Sequence, residues 1–98
     1  MRIYIYREAL GEWTEAAQYY DEKVAGLGDD FTDAIVQAIE RILRFPSAGA
    51  DLGDGIRSKI IAAFPYKIIY ALVEDFLLVL AIAHQHRRPD YWRERLHR

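Results

Sequence analysis

Residues 56–84 read IRSKIIAAFPYKIIYALVEDFLLVLAIAH, and this stretch decides the fold. It contains three apolar runs rich in β-branched and aromatic residues, each typical of a strand: Ile56–Ala63, Tyr66–Val73 and Phe76–His84. Only Glu74-Asp75 separates the last two runs, which requires a tight hairpin. We therefore predict three antiparallel strands in a meander. The third is continuously apolar from Leu77 to Ala83, as expected of a strand covered on both faces.

Upstream of the meander, the apolar period changes from two residues to between three and four. Arg2–Tyr6 is typical of a short strand. Two later series have helical spacing and predict two helices: Leu10, Trp13, Ala17, Tyr20, Val24 and Leu27, then Phe31, Ile35, Ala38, Ile39, Ile42 and Leu43. We expect the first helix to end near Gly26 or Gly28, and Asp29 or Asp30 to cap the second. The short turn between them predicts an antiparallel helix pair.

Pro46 ends the second helix, and the three glycines and two aspartates of Ser47–Gly55 predict a loop. Pro89 can begin a terminal helical turn that carries Tyr91 and Trp92. The order of strand, helix pair, loop and three strands indicates one α+β domain over residues 1–98. We expect a small antiparallel sheet with the first strand at its edge and the helix pair packed on one face.

The formal net charge of −2 conceals two halves of opposite sign. Residues 1–54 carry five Lys/Arg against eleven Asp/Glu, whereas residues 55–98 carry eight against four. The last fifteen residues hold all three histidines and five of the thirteen Lys/Arg. A separation of charge like this attracts acidic partners to the cationic part of the protein. The alternative is an unevenly charged solvated surface with no partner.

The composition excludes several classes of protein. A hydrophobic content of 52% excludes a disordered chain, and the absence of cysteine excludes disulfides and thiolate metal sites. The N-terminus is not that of a signal peptide, because Met1–Tyr6 alternates and the acidic residues Glu8 and Glu12 come directly after it. The longest apolar stretch, Phe76–Ala83, is too short to cross a bilayer. We expect a soluble, cytoplasmic protein without a membrane partner.

A set of short motifs occurs in order along this chain. In the second half the motifs are Gly55-Ile56-Arg57, Phe64-Pro65-Tyr66-Lys67-Ile68-Ile69-Tyr70, Leu78-Val79-Leu80-Ala81-Ile82-Ala83-His84 and Arg87-Arg88-Pro89. The first half contributes Trp13, Ala16, Tyr19-Tyr20, Gly26-Leu27-Gly28 and Phe31, followed by Pro46. Together these motifs resemble the RelE/ParE superfamily of bacterial toxins from type II toxin-antitoxin systems, whose helical hairpin the first-half residues match. The resemblance spans almost the whole chain.

The resemblance implies a small toxin that inhibits bacterial growth, serves plasmid stabilization, and is wrapped by a flexible, acidic segment of a cognate antitoxin. Two activities occur in the superfamily. ParE-like members poison DNA gyrase, whereas RelE-like members cut messenger RNA on the ribosome. The Gly-Ile-Arg turn, the Phe-Pro-Tyr junction and the His-Gln-His-Arg-Arg-Pro ending look closer to the ParE branch, in which no catalytic set is expected. Apolar helical faces leave a homodimer open.

We expect the antitoxin or the target to contact nine residues: Arg57, Lys59, Lys67, His84, His86, Arg87, Arg88, Tyr91 and Trp92. If the chain is instead a nuclease, six residues supply charge, proton transfer and base stacking: Arg57, Lys59, Lys67, His84, Arg88 and Tyr91. RelE-like nucleases usually place two lysines on the second strand and an arginine on the third. This chain has Ser58, Ile60 and Lys67 at the corresponding positions, which disfavours the nuclease.

Each of these residues also has a structural interpretation. Arg57 can pair with Asp54 or Glu74, and His84 can be a buried histidine that holds the tail. Tyr91 and Trp92 can dock onto the sheet. No metal or cofactor is expected, because a pair formed by His84 and His86 has no cysteine to complete it.

A plain nucleic-acid-binding module is a further alternative, with affinity that falls steeply with salt. The sequence pI of about 5.9 argues against it. Strand register, which decides whether the basic residues converge, cannot be obtained from the sequence.

Overall fold

The computed structural model describes residues 1–97, and Arg98 lies outside the described residues. In chain order the elements are β1 (Arg2–Ile5), α1 (Arg7–Lys23), α2 (Leu27–Arg44), β2 (Ala50–Gly53), β3 (Ile56–Ile60), β4 (Tyr66–Val73) and β5 (Phe76–His84). Two 3-10 helices add to these, Pro46–Ala48 and Tyr91–His97. The predicted α+β fold is confirmed. No helix in residues 1–97 combines the length and the apolar character that crossing a membrane requires.

The five strands form one sheet in the order β1-β5-β4-β3-β2. The antiparallel meander of β3, β4 and β5 is confirmed, and its last two strands have the predicted bounds. Strand β1 lies at the edge as predicted, but it runs parallel to β5, with Arg2 opposite Phe76 and Ile5 opposite Val79. The described sheet is thus mostly antiparallel, as predicted, and its pairing of β1 with β5 is parallel. The helix pair carries the chain from β1 across the sheet to β2 at the other edge, and the meander then returns so that β5 lies beside β1 in the parallel direction.

The stretch Ser47–Gly55, predicted as a loop, contains strand β2 and is the largest error in the predicted elements. Ala50 lies opposite Ser58 and Asp51 opposite Arg57, with a bulge before Gly53. The turn between β2 and β3 is the pair Asp54-Gly55, and both residues have positive φ, 56° and 76°. Tight hairpins with both central residues at positive φ favour Asn-Gly or Asp-Gly. The dipeptide was thus a local signal for the hairpin.

The helix pair turns at Gly26, whose φ of +89° places it in the left-handed region directly before α2. Asp29 and Asp30 lie in the first turn of α2, so the predicted aspartate caps are wrong. Gly28 is buried where the helices approach each other, and its N–H donates to Asp21 Oδ1 at 2.7 Å. A Cβ at Gly28 would lie 2.4 Å from the Ala17 carbonyl oxygen.

The sheet is covered on both faces, which we call the helix face and the tail face. Helices α1 and α2 pack on the helix face, against a core that includes Ile68, Tyr70, Leu77, Val79 and Ile82. The C-terminal 3-10 helix packs on the tail face, where Trp92 joins a second core with Ile56, Ile69, Leu80, Ala81 and Ala83. A bulge in the pairing of β4 with β5 skips Leu80, so Leu80 and Ala81 both belong to the tail-face core.

Candidate functional site

The sheet separates the predicted strand cations onto opposite faces. Arg57 and Lys59 lie opposite Tyr70 and Ile68, both of which belong to the helix-face core. Residues directly opposite each other in an antiparallel pair point to the same face. Lys67 lies opposite Ala83, a member of the tail-face core. Lys67 therefore points away from Arg57 and Lys59.

Arg57 is half-buried and holds the chain that leads into β2. Its Nη1 donates to the carbonyl of Gly49 at 2.9 Å. The predicted pairing of Arg57 with Asp54 or Glu74 is wrong, because Asp54 instead binds Arg93 at 3.4 Å. Next to Arg57, the Tyr70 hydroxyl donates to the carbonyl of Pro46 at 2.8 Å. Burial raises the pKa of Tyr70, and the Gly49 backbone and the charge of Arg57 oppose this rise with smaller effects.

His84 ends β5 and shapes the turn that comes after it. It lies opposite Tyr66 in the sheet, and the two rings meet edge to face with centroids 5.0 Å apart. Its Nδ1 accepts a hydrogen bond from the backbone N–H of His86 at 3.0 Å, so the neutral ring carries its proton on Nε2. The His86 ring lies 5.2 Å from that of His84. In residues 1–97, no group of three or more His, Asp or Glu side chains is placed to hold a metal ion.

The turn at residues 84–90, which we call the basic turn, carries the most exposed of the predicted contact residues. His86, Arg87 and Arg88 are all exposed. The guanidinium of Arg87 lies 3.8 Å from the centre of the Tyr91 ring, a cation-π contact that orients the arginine. Arg87 and Arg88 border a groove of about 470 Å³ whose acidic wall includes Glu8 and Glu94.

Beneath the basic turn, a buried ion pair joins α1 to the C-terminal helix. Arg95 donates to Glu12 twice, from Nη2 to Oε2 at 2.8 Å and from Nη1 to Oε1 at 3.0 Å. The Tyr91 hydroxyl donates to the same Oε2 at 2.6 Å. Both charged side chains are largely buried, with 12% of Arg95 and 15% of Glu12 exposed. We call this group of Glu12, Tyr91 and Arg95 the clasp.

The clasp also completes the edge of the sheet. Pairing of β1 with β5 stops at Val79, whose carbonyl accepts the Tyr6 N–H at 3.0 Å. Beyond that point Glu12 Oε1 accepts from the Ile82 N–H at 3.0 Å, and Arg95 Nη1 donates to the Leu80 carbonyl at 2.8 Å. A side-chain ion pair thus takes the place of the missing strand and satisfies buried backbone groups that would otherwise be costly.

The contacts within the clasp raise the pKa of Tyr91 and of Arg95. Burial raises the pKa of Tyr91, and its hydrogen bond to the Glu12 carboxylate raises it further. The same carboxylate raises the pKa of Arg95, mainly through its hydrogen bonds. Tyr91 is therefore a neutral donor whose proton is already engaged.

Trp92, predicted as a contact residue, is only 2% exposed, and that prediction is wrong because its ring fills the tail-face core. The alternative in which Tyr91 and Trp92 dock onto the sheet is confirmed. Sequence reasoning missed Glu12 and Arg95. Tyr91 and Arg95 lie four residues apart near the C-terminus, but no local pattern connects them to a glutamate on α1.

The predicted residues therefore do not form one site. Arg57 lies opposite Tyr70 and His84 opposite Tyr66, so the two backbone positions are offset by about 13 Å along the strand direction at about 3.3 Å per residue, with β4 between their strands. Lys67 is on the other face. The predicted residues that the structure brings together lie around the basic turn: His84, His86, Arg87, Arg88 and Tyr91.

Comparison with known proteins places this arrangement in a family. A family model for the ParE toxin of type II toxin-antitoxin system, parDE, matches residues 3–89. A solved structure of the chromosomal ParDE TA system from P. aeruginosa has a similar fold, with a TM-score of 0.73 and 15% sequence identity. The likeness covers 86% of this chain and 95% of that chain. No curated protein sequence matches. Because the family model covers most of its length, the chain belongs to the ParE toxin family of type II toxin-antitoxin systems.

Proposed function

We propose that the chain inhibits bacterial growth by poisoning DNA gyrase in the cytoplasm and that a cognate antitoxin neutralises it. Membership of the ParE toxin family supports the toxin role. The observation that carries the choice of gyrase is the separation of the predicted cations onto two faces of the sheet. A toxin that acts by binding a protein does not need these groups to converge.

The alternative, cleavage of messenger RNA on the ribosome, requires a base, an acid and cations around a single phosphodiester. Lys67 lies on the face opposite Arg57 and cannot share a phosphate with it. The Tyr91 hydroxyl, another member of the nuclease set, is engaged by Glu12 at 2.6 Å. These contacts argue against the nuclease.

The basic turn is the surface that we propose for the target. Arg87 and Arg88 are exposed, and His86 lies beside them. The clasp and the buried Trp92 hold the chain on the C-terminal side of this turn. A rigid, exposed cationic turn suits an acidic surface on a partner protein, since little order is lost on binding.

Growth and enzyme assays test the proposal. Expression without antitoxin should arrest bacterial growth, and the purified chain should inhibit supercoiling by gyrase while leaving ribosome-bound message intact. Replacing Arg87 and Arg88 by serine should relieve the arrest. The matched control is Lys23→Ser, which removes an exposed cation at the end of α1. Circular dichroism must show that each variant is folded.

Two results would overturn the proposal. Cleavage of message with unaffected gyrase would establish the RelE-like activity instead. Salt-sensitive binding to DNA or RNA without growth arrest would indicate a plain nucleic-acid-binding module. Sedimentation of the purified chain tests homodimer formation, for which Leu10, Tyr19 and Val24 offer exposed apolar area on α1 or directly after it.

A further inference from the structure

A small pocket lies between the end of α2 and strands β3 and β4, away from the basic turn. Its volume is about 110 Å³, and its walls include Arg41, Ile42, Phe45, Ala48, Lys59 and Tyr70. Pockets for small-molecule ligands are usually at least about 300 Å³. This pocket therefore has the size for one side chain of a partner.

The rim of the pocket is an exposed aromatic residue on a fixed backbone. Phe45 is 59% exposed, although it immediately follows a helix that buries most of its apolar residues. Its backbone N–H donates to the Arg41 carbonyl at 2.8 Å, and its carbonyl accepts from the Ala48 N–H at 3.1 Å. The bond from Tyr70 to the Pro46 carbonyl ties the same segment to the sheet. Rigid, exposed aromatic residues of this kind are typical anchors of protein interfaces.

The polar part of the pocket consists of cations that form no ion pair within residues 1–97. Arg41 and Lys59 both line it. The ion pairs within residues 1–97 involve only Arg93 and Arg95, so neither of these cations has a carboxylate partner. Arg44, one turn from Arg41 and also exposed, adds to the same charge. Cations beside an apolar pocket fit a peptide in which a carboxylate neighbours an apolar side chain.

We propose that this pocket docks an acidic segment of the antitoxin, which inserts one aliphatic or aromatic side chain beside Phe45 and places a carboxylate between Arg41 and Lys59. The inference rests on the proposed neutralisation by an antitoxin and gives that partner a specific binding site on the toxin. Ile42 and the Tyr70 ring form apolar walls, which favours a side chain over a nucleotide base, whose polar edges need donors and acceptors. The pocket is separate from the basic turn, so antitoxin and target would use different anchors.

The test measures the affinity of the purified chain for the antitoxin encoded beside it, labelled with a fluorophore and followed by anisotropy. Phe45→Ala should raise the dissociation constant at least about tenfold at any salt concentration, because it removes an apolar anchor. Arg41→Glu should weaken binding most at low salt and flatten its salt dependence. The matched control is Tyr19→Ala, another exposed aromatic residue, 55% exposed, that also lies beside a cation, Lys23. It should leave the dissociation constant unchanged.

Each outcome decides the inference. Wild-type affinity in both Phe45→Ala and Arg41→Glu, with circular dichroism showing folded proteins, overturns it. So does a pocket variant that keeps its antitoxin affinity but no longer arrests growth, because the pocket would then face the target. If the pocket variants lose affinity for a single-stranded oligonucleotide and keep it for the antitoxin, the pocket is a nucleic-acid site and the inference is overturned. If the wild-type chain binds antitoxin at this pocket but does not affect growth or gyrase, the proposed function fails while the docking site stands.

Discussion

Replacing Glu12 by alanine should destabilise the fold by about 3 kcal/mol or more, which is large for one substitution on a helix surface. The change leaves the Arg95 guanidinium, 12% exposed, without its carboxylate. It also leaves the Ile82 N–H and the Tyr91 hydroxyl without an acceptor. Breaking a buried ion pair by removing one partner costs about 3–5 kcal/mol.

The variant does not avoid this loss of stability by releasing the C-terminal helix. If the helix detached, Arg95 would return to water, but Trp92 would leave the tail-face core in which it is 2% exposed. Burial of an indole removes about 200 Å² from water, which corresponds to about 5 kcal/mol at about 25 cal/mol per Å². Both routes give a loss of similar size, so the estimate does not depend on which one the variant takes.

A double-mutant cycle in urea measures the effect. Glu12→Gln keeps the shape but replaces one acceptor oxygen by an amide donor, and we expect a loss of about 2 kcal/mol. Combined with Arg95→Met, it should show a coupling energy of about 1–3 kcal/mol, because the two residues share hydrogen bonds. In a Trp13→Phe background, fluorescence reports Trp92 alone. The control is Glu15→Gln, an exposed glutamate on the same helix, which should change stability by less than about 0.5 kcal/mol.

Additive effects of the two substitutions would refute the clasp. A loss below about 1 kcal/mol in Glu12→Ala would do the same. Unchanged Trp92 fluorescence in a strongly destabilised variant would show that the carboxylate supports α1 and not the C-terminal helix.

Three further predictions concern single positions. The pKa of Tyr91 is raised in the folded state, so its contribution to stability is complete below the ordinary tyrosine pKa of 10.0 and is lost as the pH rises from there through the folded pKa. Tyr91→Phe should therefore lower the free energy of unfolding by about 1–2 kcal/mol at neutral pH and make it less dependent on pH above about pH 10. Urea titrations at several pH values measure both effects. Gly28→Ala should destabilise by about 2 kcal/mol or more because its Cβ meets the Ala17 carbonyl, whereas Gly11→Ala, with open space around its Cβ, should stabilise by about 0.5–1 kcal/mol in thermal unfolding. Arg57→Ala removes the hydrogen bond to the Gly49 carbonyl and should lower the free energy of unfolding by about 1–2 kcal/mol in thermal unfolding. If this variant relieves growth arrest, the relief must be compared with that of Gly28→Ala, which is destabilised to a similar extent.

The sheet was predictable where its signals are local. The apolar runs Tyr66–Val73 and Phe76–His84 have the bounds of β4 and β5, because each run is flanked by residues that end strands. Strand β2 was missed although Asp54-Gly55 marks its hairpin. Its short sequence contains only Leu52 as a large apolar residue, so composition outweighed the turn signal.

The candidate site was less predictable because it depends on register and on contacts between distant residues. Alternation along β3 and β4 told which residues share a face within each strand, but only the observed pairing shows that Lys67 and Arg57 lie on opposite faces. The clasp joins residues more than eighty positions apart, as between Glu12 and Arg95. The aromatic character of Tyr91 and Trp92 suggested contacts with a partner, but Trp92 is buried in the tail-face core and Tyr91 packs against it.

The parallel pairing of β1 with β5 joins two segments that are synthesised at different times, residues 2–5 and residues 76–79. Residues 2–5 have no strand partner until residues 76–79 have been synthesised. Until then the apolar side of the helix pair lacks much of the surface on which it packs. A partly synthesised chain with exposed apolar surface is prone to bind chaperones or to aggregate. A nascent chain therefore cannot complete this sheet before residues 76–79 have left the ribosome.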